Sequence, residues 1–173
     1  QSAWHYFEKH IRRASGLGSA PLENDPERYD KRFVHCDVLV VGGGIAGLSA
    51  ALAAAGSGAR VIVCDEQQAF GGWLLSSDEQ VDGVPAARWV ADALAQLKEQ
   101  PEVQVLPRTT AFGFHDHGLV TLAERRADHL DPGERPAYRE RLWKVRARQV
   151  VLATGAHERP LVFANNDLPG VML

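Results

Sequence analysis

The sequence predicts an α/β fold: a Rossmann-like, three-layer nucleotide-binding domain with a parallel sheet and an inserted antiparallel meander. Three observations carry this expectation. The glycine-rich loop Gly42-Gly43-Gly44-Ile45-Ala46-Gly47 stands between an apolar strand and an alanine-rich helical stretch. A second apolar strand ends in Asp65 and Glu66, with Asp65 18 residues beyond Gly47. A third, Val150-Val151-Leu152-Ala153, ends in Thr154-Gly155 after a run of alternating segments.

The elements follow in order. Trp4, Phe7 and Ile11 recur at helical spacing, which predicts an amphipathic helix over residues 2–14 whose apolar stripe packs on the domain or on a neighbouring partner, with packing on the domain favoured. Glycines and prolines over residues 16–30 predict an extended connector, so residues 1–35 are expected as a helical arm and linker and 36–173 as the dinucleotide-binding domain. Cys36–Val41 is nearly continuous in apolar residues, as a parallel strand buried on both faces should be. Ile45–Ala55 is a helix whose alanines permit close approach to a sheet, and Gly56-Ser57-Gly58 ends it. Arg60–Cys64 is the next strand. Val84–Gln100 is the next helix, with Pro85 in its first turn and an apolar face of Ala87, Val90, Ala91, Leu94 and Leu97. Val103–Leu106 is a short strand. Phe112–Phe114, Leu119–Glu124 and Arg141–Ala147 then alternate, with Trp143, Val145 and Ala147 facing one way and Lys144, Arg146 and Arg148 the other. Gln149–Ala153 returns as a separate buried strand.

Composition limits the function classes. A chain of 173 residues suffices for one domain but not for a complete two-domain oxidoreductase. The net charge of −3 offers no broad basic field, which argues against nucleic acid and against an anionic membrane as partner. Local arginines, among them Arg125, Arg126, Arg139, Arg141, Arg146 and Arg148, read as solvated edges. Cys36 and Cys64 form no CxxC pair and read as buried thiols of a reducing cytosol. The longest apolar stretch, residues 38–55, is broken by four glycines and is no membrane span, and the N-terminus carries no signal-peptide pattern. A cytoplasmic protein is expected.

The chemistry resides in three loops. Gly42 permits the sharp turn out of the first strand, Gly44 lets backbone approach a pyrophosphate, and Gly47 lets the helix lie tightly on the strand. The start of that helix presents unpaired N–H groups and the positive end of its dipole to phosphate. Asp65, with Glu66 beside it, is placed to accept hydrogen bonds from a ribose diol. No Arg or Lys follows Asp65 for seven residues, so a 2′-phosphate finds no local partner and NAD or FAD is favoured over NADP. Thr154-Gly155 and, more weakly, Gly71-Gly72 are positions where backbone passes close to a bound dinucleotide. His115-Asp116-His117 reads as a turn rather than a metal site, and His157 beside Glu158 is read in the same way. No nucleophile–base set stands out, so no catalytic residue is assigned; the expected task is binding.

Taken together, GGGIAG, VIVCDE, FGG and VVLATGAHERP resemble the two-dinucleotide-binding-domain flavoproteins, over residues 37–173. Members with disulfide chemistry carry cysteines after the double glycine; Gly71-Gly72-Trp73-Leu74-Leu75 has none, which speaks against a disulfide relay. The stretches YDKRFVHCD, LPRTTAFGFHDH, RLWKVRARQVVLATG and RPLVFANNDLPGVML, with IRRASGLGSA near the N-terminus, are similar to the α subunit of heterotetrameric sarcosine oxidases. That resemblance implies a segment of a bacterial cytoplasmic enzyme that oxidatively demethylates sarcosine to glycine, passing electrons to oxygen and the one-carbon unit to tetrahydrofolate. It also implies NAD in this subunit's dinucleotide domain, with FAD in the β subunit and covalent FMN at the interface between subunits. NAD contacts would then fall on the Ala46 N–H, on Asp65, Glu66 and Gln67, on Trp73 beyond the double glycine, and on Ala111 backbone at the adenine. The chain would stop just after Asp167-Leu168-Pro169-Gly170, before the second dinucleotide domain and before the strand that completes the site. Two alternatives share the same loop and acid: the FAD-binding half of another amine or opine dehydrogenase, and a stand-alone dinucleotide-binding module without catalysis.

Overall fold

The structure is a computed structural model that describes residues 2–16, 22–156 and 162–166. Helix α1 (Ser2–Ala14) precedes strand β1 (Tyr29–Val41), helix α2 (Ile45–Gly56) and strand β2 (Val61–Cys64). A short hairpin, β3 (Gln80–Val81) and β4 (Val84–Pro85), leads into α3 (Ala86–Glu99) and β5 (Val103–Leu106). Strands β6 (Thr109–His115), β7 (Leu119–Arg125) and β8 (Glu140–Leu152) complete the order. No helix among the described residues is long and apolar enough to cross a membrane.

One six-stranded sheet, in the order β5-β2-β1-β8-β7-β6, holds the fold together. Its first four strands are parallel and the last two add antiparallel, which is the expected parallel sheet with a meander. On one face lie α2 and α3, closing a core of Val40, Leu48, Ala51, Val61, Val63, Phe70, Val90 and Leu97. On the other face Val120, Leu122, Trp143 and Val145 of the meander pack with Leu39, Ile62, Cys64 and Leu106. Three layers result, and both faces of the parallel strands are buried, which accounts for the unbroken apolar run Val61-Ile62-Val63-Cys64.

Several expectations are corrected. β1 begins at Tyr29, so residues 29–35, read as arm and linker, pair with β8 in the sheet. β8 is one strand of 13 residues rather than two. The break in its alternation has a structural cause. Asp37 and Val38 both donate their N–H to the Arg60 carbonyl, at 2.9 and 3.1 Å, a bulge that shifts which side chains face each core. Opposite it, the inward series Trp143, Val145, Ala147 gives way to Val150 on that face and Val151 on the other. Leu152, expected to be buried, is 74% exposed. Helix α3 starts after Pro85 and buries Ala86, Val90, Ala93 and Leu97, while Ala87 and Ala91 face solvent. The α1 stripe forms as a helix, but Trp4, Phe7 and Ile11 are all exposed rather than packed on the domain. Arg141 is not a solvated edge: its Nε donates to Asp30 Oδ2 at 2.8 Å, and Glu124 beside it accepts from Trp143 Nε1 at 2.8 Å.

Candidate dinucleotide-binding site

The site forms at the C-terminal ends of β1, β2 and β8, where a parallel α/β sheet presents its loops. Gly42 has φ +106 and donates its N–H to the Cys64 carbonyl at 2.8 Å, so the chain turns sharply out of β1 while staying anchored to β2. A Cβ on Gly42 would run into the Ala153 carbonyl, and one on Gly47 into the Gly42 carbonyl; the ends of β1 and β8 and the start of α2 converge there at backbone contact. Gly44 differs. It caps α2 with no side-chain hydrogen bond, its φ is −74, and a Cβ built on it meets nothing of the protein within 4 Å. Among the described residues the first α2 amides therefore have no capping side chain and open onto free space, an arrangement suited to an anionic diphosphate.

That space is a cleft of about 400 Å³ continuing into a second of about 310 Å³, with Gly42, Asp65, Gly72 and Thr154 common to both. The first part is walled by Gly44, Ala46, Trp73 and Gly155, the second by Glu66, Gln67 and Ala111. Every residue expected from the sequence to contact a dinucleotide thus borders the cleft except Gly47, which is buried beneath it. The double-glycine loop docks directly on the glycine-rich loop, the Gly71 N–H donating to the Gly43 carbonyl at 2.8 Å. Trp73 follows it and is 67% exposed at the rim. The Ala153 N–H donates to the Val41 carbonyl at 2.8 Å, which brings Thr154 and Gly155 alongside Gly42. His157, Glu158, Arg159 and Pro160, like Asp167 to Gly170, lie outside the described residues.

The acid pair divides its contacts. Asp65 Oδ2 accepts the Gly43 N–H at 2.6 Å and Oδ1 accepts the Gln67 N–H at 2.8 Å. Glu66 is exposed and its carboxylate meets no hydrogen-bond or ion-pair partner among the described residues. Beneath them burial, assisted by the neighbouring Asp65 charge, pushes the Cys64 thiol up to about 12. The thiol stays protonated and is no candidate for nucleophilic work.

Sequence reasoning missed the wall that supports this loop. The Thr109 N–H donates to the Asp65 carbonyl at 2.7 Å and the Arg108 N–H to the Gln67 carbonyl at 2.9 Å. Arg108 Nη2 reaches Gln68 Oε1 and Arg125 Nη2 reaches the Glu66 carbonyl, each at 2.9 Å. Two guanidinium groups therefore stand at the acid loop, and the inference that no base approaches it is corrected. Both come from the meander, far along the chain, and only the positive φ of Arg108 (+53) marks the turn that delivers one of them.

The chain is 52% identical over 161 residues to the sarcosine oxidase subunit alpha of Corynebacterium sp. (strain U-96), covering 92% of this chain and 17% of that protein. It is 49% identical over 167 residues to the sarcosine oxidase subunit alpha of Rhizobium meliloti (strain 1021), covering 96% of this chain and 17% of that one. It spans only that small share of the length of these relatives. Among solved structures it is similar to L-proline dehydrogenase from P. horikoshii, with a TM-score of 0.61 and 25% identity over 88% of this chain and 28% of that chain. Residues 36–172 match the pyridine nucleotide-disulphide oxidoreductase family, and the chain belongs to it.

Proposed function

We propose that this segment holds NAD within the α subunit of a sarcosine oxidase-type enzyme. The observation that carries the reading is the open space over Gly44, faced by uncapped α2 amides and continuous with a carboxylate-bearing pocket. The amides of Ile45 and Ala46 would take the pyrophosphate, the Asp65–Gln67 loop the adenosine ribose, and Ala111 backbone the adenine edge. Thr154 and Gly155 would close one wall and Trp73 the other. Bound NAD would supply hydride-transfer capacity. The chain's own part is to bind it, orient it and neutralise its phosphates.

The intact subunit would oxidatively demethylate sarcosine with tetrahydrofolate taking the one-carbon unit, and its FAD and FMN would sit elsewhere in a hetero-oligomer. The identities of about half to the two sarcosine oxidase subunits support this over a stand-alone module. The reading also makes the protein cytoplasmic, without nucleic acid or membrane as partner.

The test is Gly44→Ala in the full-length subunit. Alanine fits the φ of −74 and touches no protein atom, so the thermal midpoint should stay put. NAD affinity by calorimetry should fall at least about tenfold, or ~1.4 kcal/mol, because the new methyl occupies the diphosphate's approach. An unchanged affinity, or a wild-type subunit that ignores NAD, would refute the proposal. A flavin spectrum from a variant lacking the other flavin sites would assign FAD here instead.

A further inference from the structure

We propose that the free edge of β1 over residues 29–35 is a docking site for an extended, acidic segment of another subunit, which adds there as a further strand. This rests on the reading above that the segment is part of a hetero-oligomer. β1 pairs with β8 from Tyr29 onward but with β2 only from Val38. Residues 29–35 therefore have a strand on one side and none on the other among the described residues. Asp37 turns its N–H to the Arg60 carbonyl, on the side of β2. Backbone groups alternate along a strand, so Phe33 and His35 present theirs on that same open side, a template for pairing. The Lys31 N–H is already held, by Asp30 Oδ1 at 2.8 Å.

The side chains select the partner's charge. Paired residues share a face of the sheet, and Trp143 and Val145 point into the buried core. Lys31, Phe33 and His35 therefore line the outer face with their register partners Leu142, Lys144 and Arg146. Phe33 is 70% exposed, and the Lys144 ammonium lies 5.1 Å from the centre of its ring, which carries that charge onto the edge strand. Arg146 donates to the His117 carbonyl, and Lys31, Lys144 and Arg146 meet no carboxylate among the described residues, in a chain whose net charge is −3. The nearby acids are engaged elsewhere: Asp37 is held by Arg60 and Arg148, and Glu140 stands opposite Arg125.

A lysine on an edge guards against pairing with a second copy, and two of these edges would set like charges together. Helix α1, with Lys9, Arg12 and Arg13 against Glu8, carries the same sign and is repelled as well. A strand with carboxylates at alternate positions meets every requirement. Its backbone pairs with Phe33 and His35, its carboxylates reach Lys31 and Lys144, and its apolar side chains cover the Phe33 ring.

The experiment uses the full-length subunit, alone and in its assembled complex. Carbodiimide coupling joins an amine to a carboxylate only at contact, and mass spectrometry identifies the pair. Lys31 and Lys144 should couple to Asp or Glu of a different subunit. The Phe33 and His35 amides should exchange at least about tenfold more slowly in the complex than in the free subunit. Lys31→Glu combined with Lys144→Glu should weaken assembly at least about tenfold by sedimentation. Affinity for NAD should stay unchanged, since neither residue borders the cleft. If the double variant does not fold, the coupling map of the wild-type complex decides alone. Coupling to carboxylates of the same chain or of a second copy overturns the proposal. So do lysines and amides equally accessible in both forms, or a charge-reversed variant that assembles as wild type does. A full-length subunit that purifies with no second kind of polypeptide overturns the hetero-oligomer reading itself, which the other outcomes leave standing.

Discussion

Cys36 and Cys64 both face the core enclosed by the meander, and both are almost wholly buried. Burial raises the Cys36 thiol from an ordinary 9.0 to about 11 and the Cys64 thiol to about 12, with the adjacent Asp37 and Asp65 charges adding to each. In the unfolded chain both return to ordinary values. Below that range both states are protonated and the full native stability is kept. As the pH rises from about 9 towards 11 the unfolded chain ionises while the folded one does not, so stability falls with alkalinity. Urea midpoints measured across this window should decline, and replacing both cysteines by alanine should flatten the decline. Alkylation by iodoacetamide at neutral pH should be negligible in the native protein and rapid in denaturant. Reaction of either thiol without unfolding would contradict the assigned burial. The cysteines were legible as buried thiols because both lie in apolar runs, and the fold places them as that pattern suggests.

At the scale of elements, what could be read from sequence was whatever depended on neighbours in the chain. The strand–loop–helix unit from β1 through α2 is local; the end of β1 and both ends of α2 fall within a residue of expectation, and only the start of β1, at Tyr29 instead of Cys36, departs from it. Two features failed for stated physical reasons. The bulge at Asp37–Val38 shifts the phase of β1, and β8 follows it, so strict alternation ends midway and one strand reads as two. Asp37 is fixed there by the Arg60 N–H, which with the Arg60 guanidinium holds its carboxyl below the ordinary value. In α3, alanine counts as apolar wherever it stands, and five of them left the buried face ambiguous; the larger side chains decide it, and the helix turns so that Val90 and Leu97 point inward. Leu97→Ala should therefore cost about 2–5 kcal/mol, the range for a large-to-small core change. Ala87→Ser and Ala91→Ser should each stay within about 0.5 kcal/mol. Urea unfolding of the three variants measures the orientation of the helix, and a large loss at Ala87 or Ala91 would reverse it.

For the whole molecule, the candidate site joins residues that the sequence keeps far apart. Arg108 is 40 residues from Gln68, and Arg125 is 59 from Glu66, separations at which no local pattern announces a contact. The glycine-rich loop and the acid pair were visible because their spacing is set by one strand–helix–strand unit; the meander's support was not. The same sheet is open beside the site. β7 pairs with β8 no further than Arg146, so Gln149–Leu152 are hydrogen-bonded to β1 on one edge and to no strand on the other among the described residues. Next to that edge lies an apolar groove of Val41, Ala111, Phe112, Phe114, Val150 and Leu152, with Phe114 71% exposed. Val41, Ala111 and Thr154 belong to this groove and to the cofactor cleft at once, so whatever leaves the groove wet also loosens one wall of the cleft. The 173-residue segment expressed alone should bind the hydrophobic dye ANS, and the intact subunit should not do so at this surface. The segment should also bind NAD at least about tenfold more weakly than the intact subunit, ~1.4 kcal/mol, because part of the binding energy goes into ordering that wall. Calorimetry on the two proteins side by side measures the difference, and equal affinities would mean that the described residues form a complete site.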